Sequence, residues 1–326
     1  MKTVAGCISL AIAMSSALTA PVSAAESKYP TRPIRFVVGF LPGGPSDTIA
    51  RVVSVKLGES LGQPVIVENR AGAGGNVSAD IVAGANPDGH TILLGTGGPL
   101  VIAAILGQKV QFDADRDFAP VSTLGGSMSI LAAHPSLPAN NVKELIALAK
   151  AQPGQINYAS SGVGAANHLA AELLTSVAGI KLTHVPYKGS GAALPALISG
   201  EVKLGFGPIL PAIPHVKAGR LKALGVSGLK RATAAPDIPT IAEQGFPGFQ
   251  VDSWYGVFVP AKTPKPIIAQ LNRELNRILA LPDVKERLSR DGVDPAGSTP
   301  EALNAIVQRE KKVWAKVIRE ANIKIQ

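Results

Sequence analysis

The stretch "FVVGFLPGGPSDTIARVV" (Phe36–Val53) decides how this chain folds. Its first residues are apolar almost without interruption, as in a parallel strand buried on both faces. Two prolines and two glycines then break the run. Ile49, Val52, Val53, Leu57 and Leu61 follow at the spacing of one helix face. The junction is therefore a strand that delivers the chain to the open start of a helix. Glycines there let backbone approach a ligand closely, and first-turn N–H groups carry partial positive charge suited to an anion.

The same wiring continues outward. "VIVEN" (Val65–Asn69) and "HTILLGT" (His90–Thr96) are further strands, and a helix is expected over Pro99–Leu106. The middle of the chain repeats the scheme with "MSILAAH" (Met128–His134), a helix capped by Asn141 with Glu144 three residues on, "INYASSG" (Ile156–Gly162), "KLTHVPY" (Lys181–Tyr187) and "VKLGFG" (Val202–Gly207). "FQVDSWYGVFVP" (Phe249–Pro260) makes a later strand pair. Two long helices close the chain, the last capped by Thr299 with Pro300 at its first position. Alternating strands and helices imply an α/β protein with largely parallel sheets. The expected organisation is two α/β lobes joined by two crossover strands, near Pro120–Gly126 and Leu221–Gly228, with a cleft between them. Residues 26–124 with 226–326 form the first lobe and 125–225 the second.

Composition agrees with a folded protein of that size. The 326 residues are 46% hydrophobic and 17% charged, with only 4% aromatic but 34 Gly and 26 Pro, which suits many short elements joined by tight turns. Residues 1–25 stand apart. Lys2, a largely apolar run from Val4 to Leu18, and small residues before Ala24 and Ala25 form a secretory signal peptide cleaved near Ala24 or Ala25. The run is too short to span a membrane. "VAGC" (Val4–Cys7) has the form of a lipoprotein cleavage box, but only three residues precede it, too few for an export signal. Cys7 is the single cysteine, so its loss with the signal leaves no thiol for a disulfide, a nucleophile or a metal. The net charge is +9, and more than half of it lies from Lys262 onward, in a C-terminal helical region. Counted with Lys262 itself, that C-terminal excess is +5; no stacking aromatics or recognition motif accompany it, so no nucleic-acid partner is expected.

Gly-rich junctions recur after strands, where open α/β sheets hold their ligands. "PGGPSD" (Pro42–Asp47) has a counterpart in "SSGVGAANHL" (Ser160–Leu169), one in each expected lobe. "GTGGP" (Gly95–Pro99), "YKGSG" (Tyr187–Gly191) and "GPILP" (Gly207–Pro211) are further junctions of this kind. A structural role alone is the competing reading for each turn. His168 either faces the cleft or is satisfied by the helix start beside it, and Asp47 either orients a ligand or caps its helix. "GAGGN" (Gly72–Asn76) resembles half of a dinucleotide fingerprint at the wrong spacing. The sequence contains no G-x-S-x-G elbow, H-E-x-x-H pair or G-x-x-x-x-G-K-[ST] loop. No cofactor or metal is expected.

The segments "YPTRPIRFVVGFLPGGPSD", "VIVENRAGAGGN", "PDGHTILL", "INYASSGVGAANHL", "VPYKGSG", "GRLKALGVS" and "APDIPTIAEQGFPGF", in this order and spacing, resemble the Bug-type periplasmic substrate-binding proteins of tripartite tricarboxylate transporters. The resemblance covers essentially the whole chain after the signal. It implies the periplasmic-binding-protein fold and a monomeric, non-enzymatic receptor that hands a small carboxylate to membrane permease subunits. On that resemblance the carboxyl group is held by Phe40 and Pro42, Gly43, Gly44, Ser46 and Asp47 on one side. Ser160, Ser161, Gly162 and Gly164 hold it from the other, with His168 nearby. Thr96, Gly97, Tyr187, Lys188 and Gly189 line the remaining wall. One departure stands out. Where the family usually carries an acid after Phe in a "VDLMFD" strand, this chain reads "VKLGFG", leaving Gly207 without a side chain that could meet an ammonium or hydroxyl group. An enzyme using the same cleft, through His168 or Asp47, and a ligand-sensing receptor for a signalling partner are the alternative readings.

Overall fold

The computed structural model describes residues 29–232 and 234–320; the signal-peptide and Cys7 readings lie outside them. The elements in chain order are β1 (Ile34–Val38), α1 (Pro45–Leu61), β2 (Val65–Asn69), α2 (Asn76–Ala83), β3 (Thr91–Gly95), α3 (Ala103–Ile105), β4 (Phe118–Ala133), α4 (Val142–Ala151), β5 (Asn157–Ser160) and α5 (Ala166–Ala178). There follow β6 (Thr183–Pro186), α6 (Ser190–Ser199), β7 (Leu204–Pro208), α7 (Ile209–Lys217), β8 (Lys222–Val226), β9 (Asp252–Pro260), α8 (Lys265–Ala280), α9 (Pro282–Arg290), β10 (Asp294–Pro295) and α10 (Pro300–Glu320).

Two α/β lobes share β4. In the first, strands run in the order β2-β1-β3-β9-β4, with β1 parallel to β2 and β3. In the second they run β6-β5-β7-β4, with β5 parallel to β6 and β7, and β8 on the far side of β4. The 16-residue β4 passes from one lobe to the other: Phe118–Met128 pairs with β9, and Ser129–Ala133 pairs with β7. The outward crossover thus contains Pro120–Gly126. The return is made by β9, whereas Lys222–Val226, where a return was expected, pairs with β4 inside the second lobe. Packing keeps the following segment there too, because Ala232, Ala235 and Ile238 sit against Ile130, Ile209 and Val226.

The local signals act as their chemistry requires. Pro45 occupies the first turn of α1, and Gly62 closes that helix in the left-handed region at φ 70°. The Asn141 side chain accepts the Glu144 N–H at 2.8 Å, and Thr299 accepts from Ala302 at 3.2 Å. The β1 side chains are fully buried except Arg35, which pairs with Glu68 on β2. One buried cluster joins Leu93, Leu100 and Trp254 to Leu131, Tyr158 and Leu169, so apolar packing continues from lobe to lobe. Leu303, Val307 and Trp314 of α10 belong to the same cluster. Among the described residues no helix is long and apolar enough to cross a membrane.

Candidate functional site

The starts of α1, α5, α6 and α7 meet between the lobes, at Gly44–Ser46, Ala165–Asn167, Ser190 and Pro208, around a cavity of about 80 Å³. Each helix start leaves first-turn N–H groups without an acceptor in its own helix. In α1, Ser46 supplies such a group together with its hydroxyl. In α5, Ala166 and Asn167 do so. Among the described residues no Lys or Arg lines the cavity.

Side chains behind the two turns fix their shape. The Asp47 carboxylate accepts from Gly43 N–H at 3.2 Å, Asn69 Nδ2 at 3.0 Å and Arg51 Nε at 2.9 Å. Burial pushes this carboxyl up, but the hydrogen bonds from Arg51, Asn69 and Gly43 outweigh it and hold the pKa below the ordinary value. On the other side, Asn167 accepts Ser161 N–H at 3.1 Å and donates to the Phe206 carbonyl at 3.1 Å, tying the turn to β7. Gly164 N–H donates to His168 Nδ1 at 3.1 Å, so that nitrogen must be unprotonated. Burial supports this state by lowering the His168 pKa to about 3, with His184 adding to the effect. His184 stacks on His168 at 4.2 Å and shares a 2.6 Å hydrogen bond with Ser160 Oγ; burial lowers its pKa to about 4.

Of the residues expected from sequence, Phe40, Gly44, Ser46, Thr96, Gly97, Ser161, Gly164 and Gly207 line the cavity. Asp47, Ser160 and His168 are buried and bonded to the turns behind it. Pro42 and Gly43 line a larger, more open groove of about 490 Å³ beside α6 and α7. Tyr187 sends its hydroxyl to Glu201 at 2.6 Å, Lys188 contributes its carbonyl to Leu41 N–H at 3.0 Å, and Gly189 precedes α6 at φ 120°. Gly162 lies against Gly74, where a Cβ on it would meet the Gly74 backbone at 3.3 Å. The "GAGGN" glycines thus find their place at the contact between lobes.

The sequence reading missed the wall formed by Ser127, Ser129, Trp254, Tyr255, Glu310 and Trp314. Trp254 Nε1 donates to Glu310 Oε2 at 2.7 Å. Burial raises the Glu310 carboxyl above its ordinary pKa and nearby Asp252 adds to this, while Trp254 and Arg309 pull the other way. The available signal was Glu310 standing four residues before Trp314, on one face of the last helix.

Two α/β lobes around a cavity of helix starts define a solute-binding protein of the periplasmic-binding type. The pattern of the tripartite tricarboxylate transporter family receptors matches residues 49–323. BugT of Bordetella pertussis is 37% identical over 310 residues, covering 95% of this chain and 94% of that one. An R. palustris protein solved with adipate superposes with a TM-score of 0.87 at 34% identity, covering 91% of this chain and 99% of that one. MatC from Rhodopseudomonas palustris, solved with malate, superposes at 0.83 with 36% identity, covering 89% and 100%. The chain belongs to the Bug-type solute receptors of tripartite tricarboxylate transporters.

Proposed function

We propose that the chain takes a small organic carboxylate into the cavity between its lobes, outside the cytoplasm, and presents it unchanged to the permease subunits of its transporter. The observation that carries this reading is that the starts of α1 and α5, one from each lobe, border the same cavity while no basic side chain among the described residues lines it. Unpaired helix-start N–H groups and the Ser46 hydroxyl then hold the anion, as helix N-termini hold phosphates and carboxylates elsewhere. Asp47, Ser160 and His168 hold the turns in shape. Relatives solved with adipate and malate support a carboxylate as the ligand class. The exported form would be a monomer beginning after Ala24 or Ala25.

Native mass spectrometry of the purified protein, followed by calorimetry with the acid it carries, tests the reading. A bound carboxylate released chemically unaltered is expected. A ligand without an acid group, or one converted on incubation, overturns it.

A further inference from the structure

Within that carboxylate reading, we propose that Glu310 and Trp254 make this receptor selective for acids whose second polar group is a hydrogen-bond donor, such as an ammonium or amide, and set it against dicarboxylates. Helix starts line one part of the cavity, and Glu310 lines another with Asp252 at its exposed rim. The Glu310 carboxylate is fixed rather than free to swing away. Its Oε2 accepts the Trp254 indole N–H at 2.7 Å and lies close over Gly97, where an added Cβ would meet it at 3.4 Å. The tryptophan that fixes it is itself 9% exposed.

A ligand that anchors one carboxylate at the helix starts and extends toward this wall meets acceptors and negative charge, with no Lys or Arg among the described lining residues to offset them. A second carboxylate there is repelled by the charge already present. An ammonium or amide N–H instead finds the Glu310 acceptor. Ser129 adds a further polar group to this wall: it is 6% exposed and lines the cavity. The missing acid at Gly207 is thereby answered from a different element. An added Cβ at 207 meets nothing within 4 Å, so that side of the cavity is open and α10 supplies the charge.

The test is calorimetry on the whole exported protein with matched pairs: succinate against β-alanine and succinamate, and adipate against 6-aminohexanoate. At least one amino or amide acid is expected to bind about tenfold or more tightly than its dicarboxylate counterpart. Glu310→Gln keeps an acceptor for the Trp254 N–H, and should lower the preference about tenfold by weakening the amino acid and admitting the diacid. A thermal melt establishes that the variant is folded. If melting shows it is not, Trp254→Phe, which frees Glu310 from its anchor, must shift the same ratio. Tighter binding of the dicarboxylates by the wild type overturns the inference and leaves the carboxylate reading standing, as does an unchanged ratio in the folded variants, which makes Glu310 only the prop of Trp254. Binding of none of these acids, alongside an acid-free natural ligand, overturns both.

Discussion

The backbone N–H of Leu41 donates to the carbonyl of Lys188 at 3.0 Å, joining the turn after β1 in one lobe to the turn after β6 in the other. Leu41 directly follows Phe40 in the cavity wall, and Lys188 lies two residues before Ser190 at the start of α6. This bond therefore exists only when the lobes are together, and it draws together the two walls that enclose the cavity. Leu41→Pro removes the donor. Affinity for the ligand is expected to fall about fivefold, the scale of one neutral hydrogen bond of about 1 kcal/mol, with the ligand-free melting temperature little changed. An equal loss in ligand-free stability would place the bond in the open form as well.

Closure also rests on glycine. Gly74 has φ 66° and presses on the second lobe so closely that an added Cβ would overlap the Val163 carbonyl. Gly191 makes a similar approach across the lobes, to the Pro42 carbonyl. Gly74→Ala carries a backbone cost of about 1–2 kcal/mol in either form, but the overlap arises only on closing. Calorimetry should then show a loss of about a hundredfold in affinity, and small-angle scattering should show no compaction on adding ligand. A variant that still compacts would mean that the lobes meet elsewhere.

Lys188 separates a backbone grip from a salt bridge. Its side chain does not line the cavity, and its contact across the lobes is a carbonyl. Lys188→Ala should therefore change affinity by less than about twofold, below what a charge-assisted hydrogen bond of about 1.5 kcal/mol or more would give. A tenfold loss would bring the ammonium into the site.

The parts of this arrangement that local sequence signals encode were legible before the structure. Apolar runs ending in Gly and Pro placed β1 and β3, and the turn residues located Gly44, Ser46, Ser161 and Gly164 at the cavity. Contacts between distant segments were not encoded that way. The return crossover was placed one strand early, because Lys222–Val226 and Asp252–Pro260 look equally strand-like and only pairing with β4 separates them. Glu310 lay unseen for the same reason: a charge on an amphipathic helix reads as surface until the tertiary fold brings Trp254 to it. The glycines of "GAGGN" read as a poor nucleotide motif because their partner, Val163, lies in the other lobe.

The histidine pair makes stability depend on pH. His168 and His184 are buried as neutral rings, with pKa lowered to about 3 and about 4, against about 6.5 in an unfolded chain. Between these values the unfolded chain binds more protons. The stabilisation is thus complete above about pH 6.5 and is lost progressively as the pH falls toward 3. Denaturant midpoints from pH 7 to pH 4 should drop in the wild type. His168→Gln should flatten the slope by up to about 1.4 kcal/mol per pH unit, the weight of one proton. An unaltered slope would mean that His168 does not titrate in this window.

Gly207 offers the reverse of the Glu310 experiment. It pairs with Ile130 in the sheet, has no positive φ, and borders the cavity with nothing within 4 Å of an added Cβ. Gly207→Asp should therefore fold, because the added side chain meets no steric overlap. The new carboxylate would stand in the same cavity as Glu310, with no cation among the described lining residues to offset either. Affinity for a dicarboxylate such as adipate should fall about tenfold or more, while an acid bearing an ammonium group should bind as well or better. Competition calorimetry with adipate and 6-aminohexanoate reads this directly. If both acids respond alike to the added charge, the side chain at 207 does not reach the ligand, and the glycine is a feature of the strand alone.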